Sequence, residues 1–149
     1  ICACLVGSEM CIRDRCICDS MNYLLSTEEI FAMFRCIKEA LAEDGVAILD
    51  MKTAYCFQKV MGNQTRVDET EEALMIWDNT YDEETCINEY LLTIFTEDKA
   101  TGMYARYDEC HEQRAYTEDE IKSCLKETSL RLVKSWTEDE VRTYFVIQR

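Results

Sequence analysis

Residues 16–53 constrain the fold more tightly than any other part of the chain. The stretch CICDSMNYLL begins as an apolar strand and breaks at Asp19 and Ser20, two turn-forming residues. STEEIFAMFRCIKEALAEDG follows directly. Ser26 and Glu29 have capping-box spacing, and Ile30, Met33, Phe34, Ile37 and Leu41 recur at helical intervals. Gly45 is expected to stop that helix. VAILDMKT is then a nearly unbroken apolar run, as in a strand buried on both faces. Strand, helix and strand in this order predict a βαβ unit, with parallel pairing and a right-handed crossover. The polar residues Asp19, Ser20, Asn22, Asp50, Lys52 and Thr53 all fall at the carboxyl ends of the two strands. In open α/β sheets that edge binds ligands.

Beyond this unit the pattern changes. AYCFQKVMG reads as a short helical piece. ALMIWDNTYD, CINEYLLTIFTED and GMYARYDECHEQRAY read as three strands joined by hairpins at residues 82–84 and 99–102. A three-stranded antiparallel meander at about residues 73–114, within an insertion of about residues 56–115, is therefore expected. TEDEIKSCLKETS is a second helix with a Thr117–Glu120 capping box, and LRLVKSW and EVRTYFVIQR close the chain as strands. The chain has 149 residues, no proline and four glycines, which suits one compact α/β unit. Its net charge of −14 repels phosphate backbones and anionic lipid, so neither nucleic acid nor a membrane is an expected partner. Ten cysteines occur without any C-x-x-C pair. That pattern argues against a zinc or dithiol site, no metal is expected, and a reducing cytoplasm suits so many unpaired thiols.

The ordered set CICDSMNYLL, IKEALAEDGVAILDMKT and HEQRAYTEDEI resembles the class I S-adenosylmethionine-dependent methyltransferases, over about residues 16–149. The closest likeness is to small-molecule members with an antiparallel insertion after the fifth strand. The family's sheet runs 3-2-1-4-5-7-6 with the seventh strand antiparallel. The resemblance implies that this chain supplies strands 4-5-7-6, the C-terminal half of a Rossmann-like sheet. The family's glycine-rich cofactor loop has no counterpart, because no G-x-G occurs in the sequence.

Residues 1–15 belong to none of these patterns. Residues 4–15 read as a translated sequencing-library adapter, so 1–15 are set apart as non-native and 16–149 are taken as a truncated methyltransferase domain. The fragment is expected to be inactive alone.

The resemblance places S-adenosylmethionine against Cys18, Asp19 and Ser20. It places a small-molecule substrate against Asn22, Tyr23, Asp50, Lys52, Arg114 and Tyr116. Asp50 and Lys52 read equally as an exposed strand-end pair. His111, the only histidine, shares a strand face with Glu109 and Gln113, and a neutral imidazole there would remove a proton as the methyl group arrives. The competing function is a non-catalytic dimerisation or binding module, with a homodimer formed through the inserted sheet. A zinc site on Cys16, Cys18, Cys110 and His111 fits no ligand spacing.

Overall fold

The computed structural model describes residues 13–16 and 18–149. Two four-stranded sheets carry the fold. In the first, β1 (Arg13–Cys16) lies parallel to β2 (Val46–Lys52). Strand β8 (Arg142–Gln148) runs antiparallel to β2, and β7 (Arg131–Glu138) pairs outside β8. The order β1-β2-β8-β7 is the 4-5-7-6 order that the resemblance implies. The backbone of β1 includes Arg13, Asp14 and Arg15, opposite Val46, Ala47 and Ile48. The rest of the segment set apart in the sequence lies outside the described residues.

Helix α1 (Thr27–Ala40) crosses from β1 to β2. Its capping box forms as the sequence predicts: Ser26 Oγ accepts from Glu29 N, and Glu29 accepts in return from Ser26 N. Ile30, Met33, Phe34 and Ile37 are buried against Ala47, Leu49 and Met51 of β2 and Phe145 and Ile147 of β8. Ile121, Cys124 and Leu125 of α2 (Glu118–Glu127) complete this core. Each Ile, Leu, Met or Phe among them contributes roughly 1.5–3 kcal/mol by leaving water. Gly45 plays another part than the one expected. The helix ends at Ala40, and Gly45 sits in the turn that follows, its N–H bonded to Ala42 O at 2.9 Å. A Cβ there would come 2.9 Å from that same oxygen, so close approach of backbone requires glycine.

The second sheet has the order β3-β4-β5-β6, all antiparallel: β3 (Gln64–Glu69), β4 (Ala73–Asp82), β5 (Ile87–Asp98) and β6 (Met103–Arg114). The sequence predicts three of these strands and misses β3. Every residue of β3 is exposed, so it lacks the alternation that reveals a half-buried strand. A π-helical turn (Cys56–Met61) leads into it and buries Phe57 against Tyr81 and Ala115. The β4–β5 and β5–β6 hairpins use one device. Asp82 and Asp98 each accept from the amide two residues on and from a threonine hydroxyl three residues on.

The turn from β7 to β8 holds Asp139 (φ 48°) and Glu140 (φ 60°) in the left-handed region, closed by Val141 N donating to Glu138 O at 2.9 Å. Glutamate is costly there and glycine is not. Glu140→Gly is expected to stabilise the chain by about 0.5–1 kcal/mol, read as a higher urea midpoint at unchanged slope. Among the described residues, no helix is long and apolar enough to cross a membrane.

Candidate functional site

The two sheets meet at the carboxyl ends of β1 and β2, and Asn22 makes the joint. It lies in a 3-10 turn (Ser20–Tyr23) and is fully buried. Among the described residues the pairing of β1 with β2 runs to Leu49, and Lys52 lies beyond it. The Asn22 carboxamide replaces the missing neighbour: Oδ1 accepts from Lys52 N at 2.8 Å and Nδ2 donates to Lys52 O at 3.0 Å. The second Nδ2 hydrogen goes to Arg114 O at the end of β6, at 2.9 Å.

Beside this joint is a charged network. Cys18 (φ 67°) and Asp19 (φ 55°) both adopt left-handed backbone, a strained arrangement at the end of β1. Asp19 Oδ2 meets Lys52 Nζ at 2.9 Å and accepts from Gln113 Nε2 at 2.9 Å, while Oδ1 meets Arg142 Nη2 at 2.9 Å. Arg142 also pairs with Asp50, which is buried and accepts from Asp19 N at 3.2 Å. Burial would raise the Asp19 carboxyl; hydrogen bonds from Lys52, Gln113 and Arg142 outweigh it and hold the group below its ordinary range. Burial would also lower the Arg142 guanidinium, but the bonds to Asp50 and Asp19 raise it. The stabilisation tied to Asp19 is therefore complete above the ordinary aspartate range near ~4 and is lost as pH falls through its lower folded value. Unfolding midpoints followed down from neutral pH should fall steeply below about pH 4, and Asp19→Asn should flatten that slope.

An aromatic group adjoins the network. Trp77 of β4 stacks on Tyr90 of β5 with ring centres 4.4 Å apart, and Tyr90 stacks on His111 of β6 at 4.6 Å. Tyr23 meets the edge of His111 at 5.9 Å, and its hydroxyl lies 2.6 Å from that of Tyr90 and 3.2 Å from His111 Nδ1. Glu109 Oε2 lies 3.0 Å from His111 Nε2.

A cavity of about 300 Å³ opens between these parts. Lys52, Cys56 and Met61 form one wall, and Arg66, Trp77 and Asn79 of the inserted sheet form the other. Lys52 is shared with the charged network and Trp77 with the aromatic stack.

The residues singled out in the sequence thus separate into groups. Asp19, Asp50 and Lys52 form one network, to which Arg142 and Gln113 are essential. Tyr23 and His111 are brought together with Tyr90 and Trp77. Cys18 is exposed at the strand end and Ser20 is half-buried. Asn22 has its carboxamide committed to backbone and is closed to a ligand. Arg114 pairs with Glu120 at 3.0 Å and lies over the Tyr116 ring at 4.6 Å. Tyr116 donates towards Leu24 O and Ser26 O, and burial pushes its phenol up to about 12. These two residues tie β6 to the starts of both helices. Arg142 escapes a reading of the sequence, although a cation opening a strand that runs antiparallel to DMKT could have signalled it.

No family model matches the sequence. The chain is 31% identical over 140 residues to a "Putative methyltransferase" of Geobacillus sp. (strain WCH70), covering 89% of this chain and 56% of that protein. It is 26% identical over 117 residues to "Putative methyltransferase YqeM" of Bacillus subtilis (strain 168), covering 77% and 46%. It therefore spans about half the length of these relatives. A S-adenosylmethionine-dependent methyltransferase from Clostridium acetobutylicum ATCC 824 superposes with a TM-score of 0.82 at 24% identity, over 96% of this chain and 60% of that one. The sugar N-methyltransferase KedS8 from Streptoalloteichus sp ATCC 53650 superposes with a TM-score of 0.72 at 14% identity, over 97% and 59%. With its 4-5-7-6 strand order and inserted sheet, the chain carries the C-terminal part of the class I S-adenosylmethionine-dependent methyltransferase fold.

Proposed function

We propose that this chain is the substrate-side part of a methyltransferase that uses S-adenosylmethionine to methylate a small molecule. The observation that carries the reading is the 300 Å³ cavity, whose walls share Lys52 with the strand-end network and Trp77 with the stack that ends at His111. A pocket of this size, with an apolar wall and a few fixed polar groups, suits a small organic ligand.

The residues present fit one side of the cofactor. The strained Cys18–Asp19 backbone and Ser20 form an open strand-end loop that would hold it. The Asp19 carboxylate is already neutralised by Lys52 and Arg142 and shapes that loop instead of charging it. The cofactor would supply an electrophilic methyl group. The chain's own residues then have three tasks: to orient the acceptor against Trp77 and Asn79, to exclude water, and to take a proton at His111. The reading includes pairing of two subunits through the outer face of the inserted sheet, where Val67, Leu91 and Tyr104 are exposed.

The test is a chimaera that joins residues 16–149 to the part of the Geobacillus protein this chain does not span. Radiolabel from methyl-labelled cofactor should enter the small-molecule fraction and not protein or nucleic acid. His111→Ala should lower turnover by about 100-fold or more with cofactor affinity unchanged. Unchanged turnover at saturating substrate would reduce His111 to a packing residue.

A further inference from the structure

The hydrogen bonds around His111 have only one consistent direction when the ring is neutral. The Glu109 carboxylate can only accept, so His111 Nε2 carries the hydrogen across their 3.0 Å contact. A neutral imidazole has one N–H, which leaves Nδ1 bare. Nδ1 therefore accepts from the Tyr23 hydroxyl at 3.2 Å. That commits the single hydrogen of Tyr23, so the 2.6 Å contact with Tyr90 is made by Tyr90 donating. Tyr90 is suited to this part. It is buried, and burial together with the adjacent Tyr23 hydroxyl pushes its phenol well above the ordinary tyrosine range. Of the three residues Tyr23 is the most open: it is 40% exposed, against 28% for the His111 side chain and 6% for Tyr90.

We propose that Tyr23, Tyr90 and His111 form an oriented proton wire in which the Tyr23 phenol, not the imidazole, receives the proton of the methyl acceptor. The use of the wire rests on the methyltransferase reading above; its direction does not. As the acceptor's X–H bond breaks, a new O–H bond forms at Tyr23. The original Tyr23 O–H bond breaks as N–H forms at His111 Nδ1. One proton moves from acceptor to imidazole, and no oxidant or reductant is needed. Glu109 faces the resulting imidazolium and Tyr90 keeps the Tyr23 oxygen in place. Tyr23 is then the catalytic residue, His111 is the proton store, and Tyr90 and Glu109 are positioning residues.

The chain contains one histidine, so ¹⁵N-histidine labelling yields ring signals from His111 alone. In the neutral ring the Nε2–H tautomer should dominate. Tyr23→Phe should move the Nδ1 resonance towards that of a nitrogen without a hydrogen bond and leave Nε2–H in place. Tyr90→Phe should leave Nδ1 bonded, and Glu109→Gln should raise the Nδ1–H tautomer. A dominant Nδ1–H tautomer in the unaltered chain, or an Nδ1 resonance indifferent to Tyr23→Phe, would overturn the wire. In the chimaera, Tyr23→Phe should lower kcat by about 100-fold or more at little changed KM. An active chimaera indifferent to Tyr23→Phe removes the proposal and spares the methyltransferase reading. A chimaera that transfers no methyl group, with resonances as expected, removes the methyltransferase reading and this use of the wire.

Discussion

Asn22→Ala is expected to destabilise this chain by several kcal/mol. The carboxamide makes three hydrogen bonds, at 2.8, 3.0 and 2.9 Å, to backbone groups of Lys52 and Arg114. The side chain is fully buried, so water does not replace it without opening the joint. A buried polar group left without its partner costs about 1–3 kcal/mol. Three such groups make a loss of about 3–5 kcal/mol the conservative figure, against a typical total of about 5–15 kcal/mol for a domain. Asn22→Asp has the same shape but cannot donate to either carbonyl, and should cost at least as much. Urea unfolding of both variants is the measurement. A loss below about 1 kcal/mol would mean that the sheets are held together by the charged network and not by Asn22.

Titrating the 149-residue chain with S-adenosylmethionine should give no saturable isotherm in the micromolar range. On the proposed reading Cys18, Asp19 and Ser20 would supply one side of the site, and the Asp19 carboxylate is already engaged by Lys52, Gln113 and Arg142. The sequence contains no G-x-G turn to present backbone amides to the rest of the cofactor. Losing three or four hydrogen bonds at about 1–3 kcal/mol each weakens binding by about a hundredfold or more, out of the micromolar range. The chimaera should bind in the micromolar range. A one-to-one micromolar isotherm from the chain alone would put a complete cofactor site within these residues.

What the sequence reveals and what it hides follow from the reach of each signal. Ser26–Glu29 and Thr117–Glu120 are visible because a capping box is complete within four residues. The core face of α1 is visible because periodicity repeats along a few turns, and β2 because its apolar run is unbroken, although it buries Ala47, Leu49 and Met51 fully and leaves Val46 and Ile48 of the other face half-buried. From these the βαβ unit, and with the resemblance the strand order, follow. Strand β3 is hidden because it buries neither face. The stop of α1 is misplaced because Gly45 is needed for a close contact and not for a helix cap. The charged network is hidden because its ends are remote in sequence: Arg142 lies 123 residues from Asp19 and 92 from Asp50. Tyr90 and Trp77 are strand aromatics like many others until the register sets Tyr90 opposite His111. His111 itself is legible because it is unique, but the direction of its hydrogen bonds needs coordinates.

The Asn22 joint also bears on how such a pocket would change over generations. It fixes the inserted sheet through the ends of β2 and β6 and asks nothing of the residues farther along the sheet. Met75 and Trp77 line the cavity beyond the joint, and Leu92 and Ile94 lie on the same face. Substitutions at those positions can reshape the wall while the strand-end chemistry stays in place. On the proposed methyltransferase reading, a lineage built on this plan can therefore drift from one substrate to another by altering a few pleats of one sheet, with the Asn22 joint and the strand-end network inherited intact.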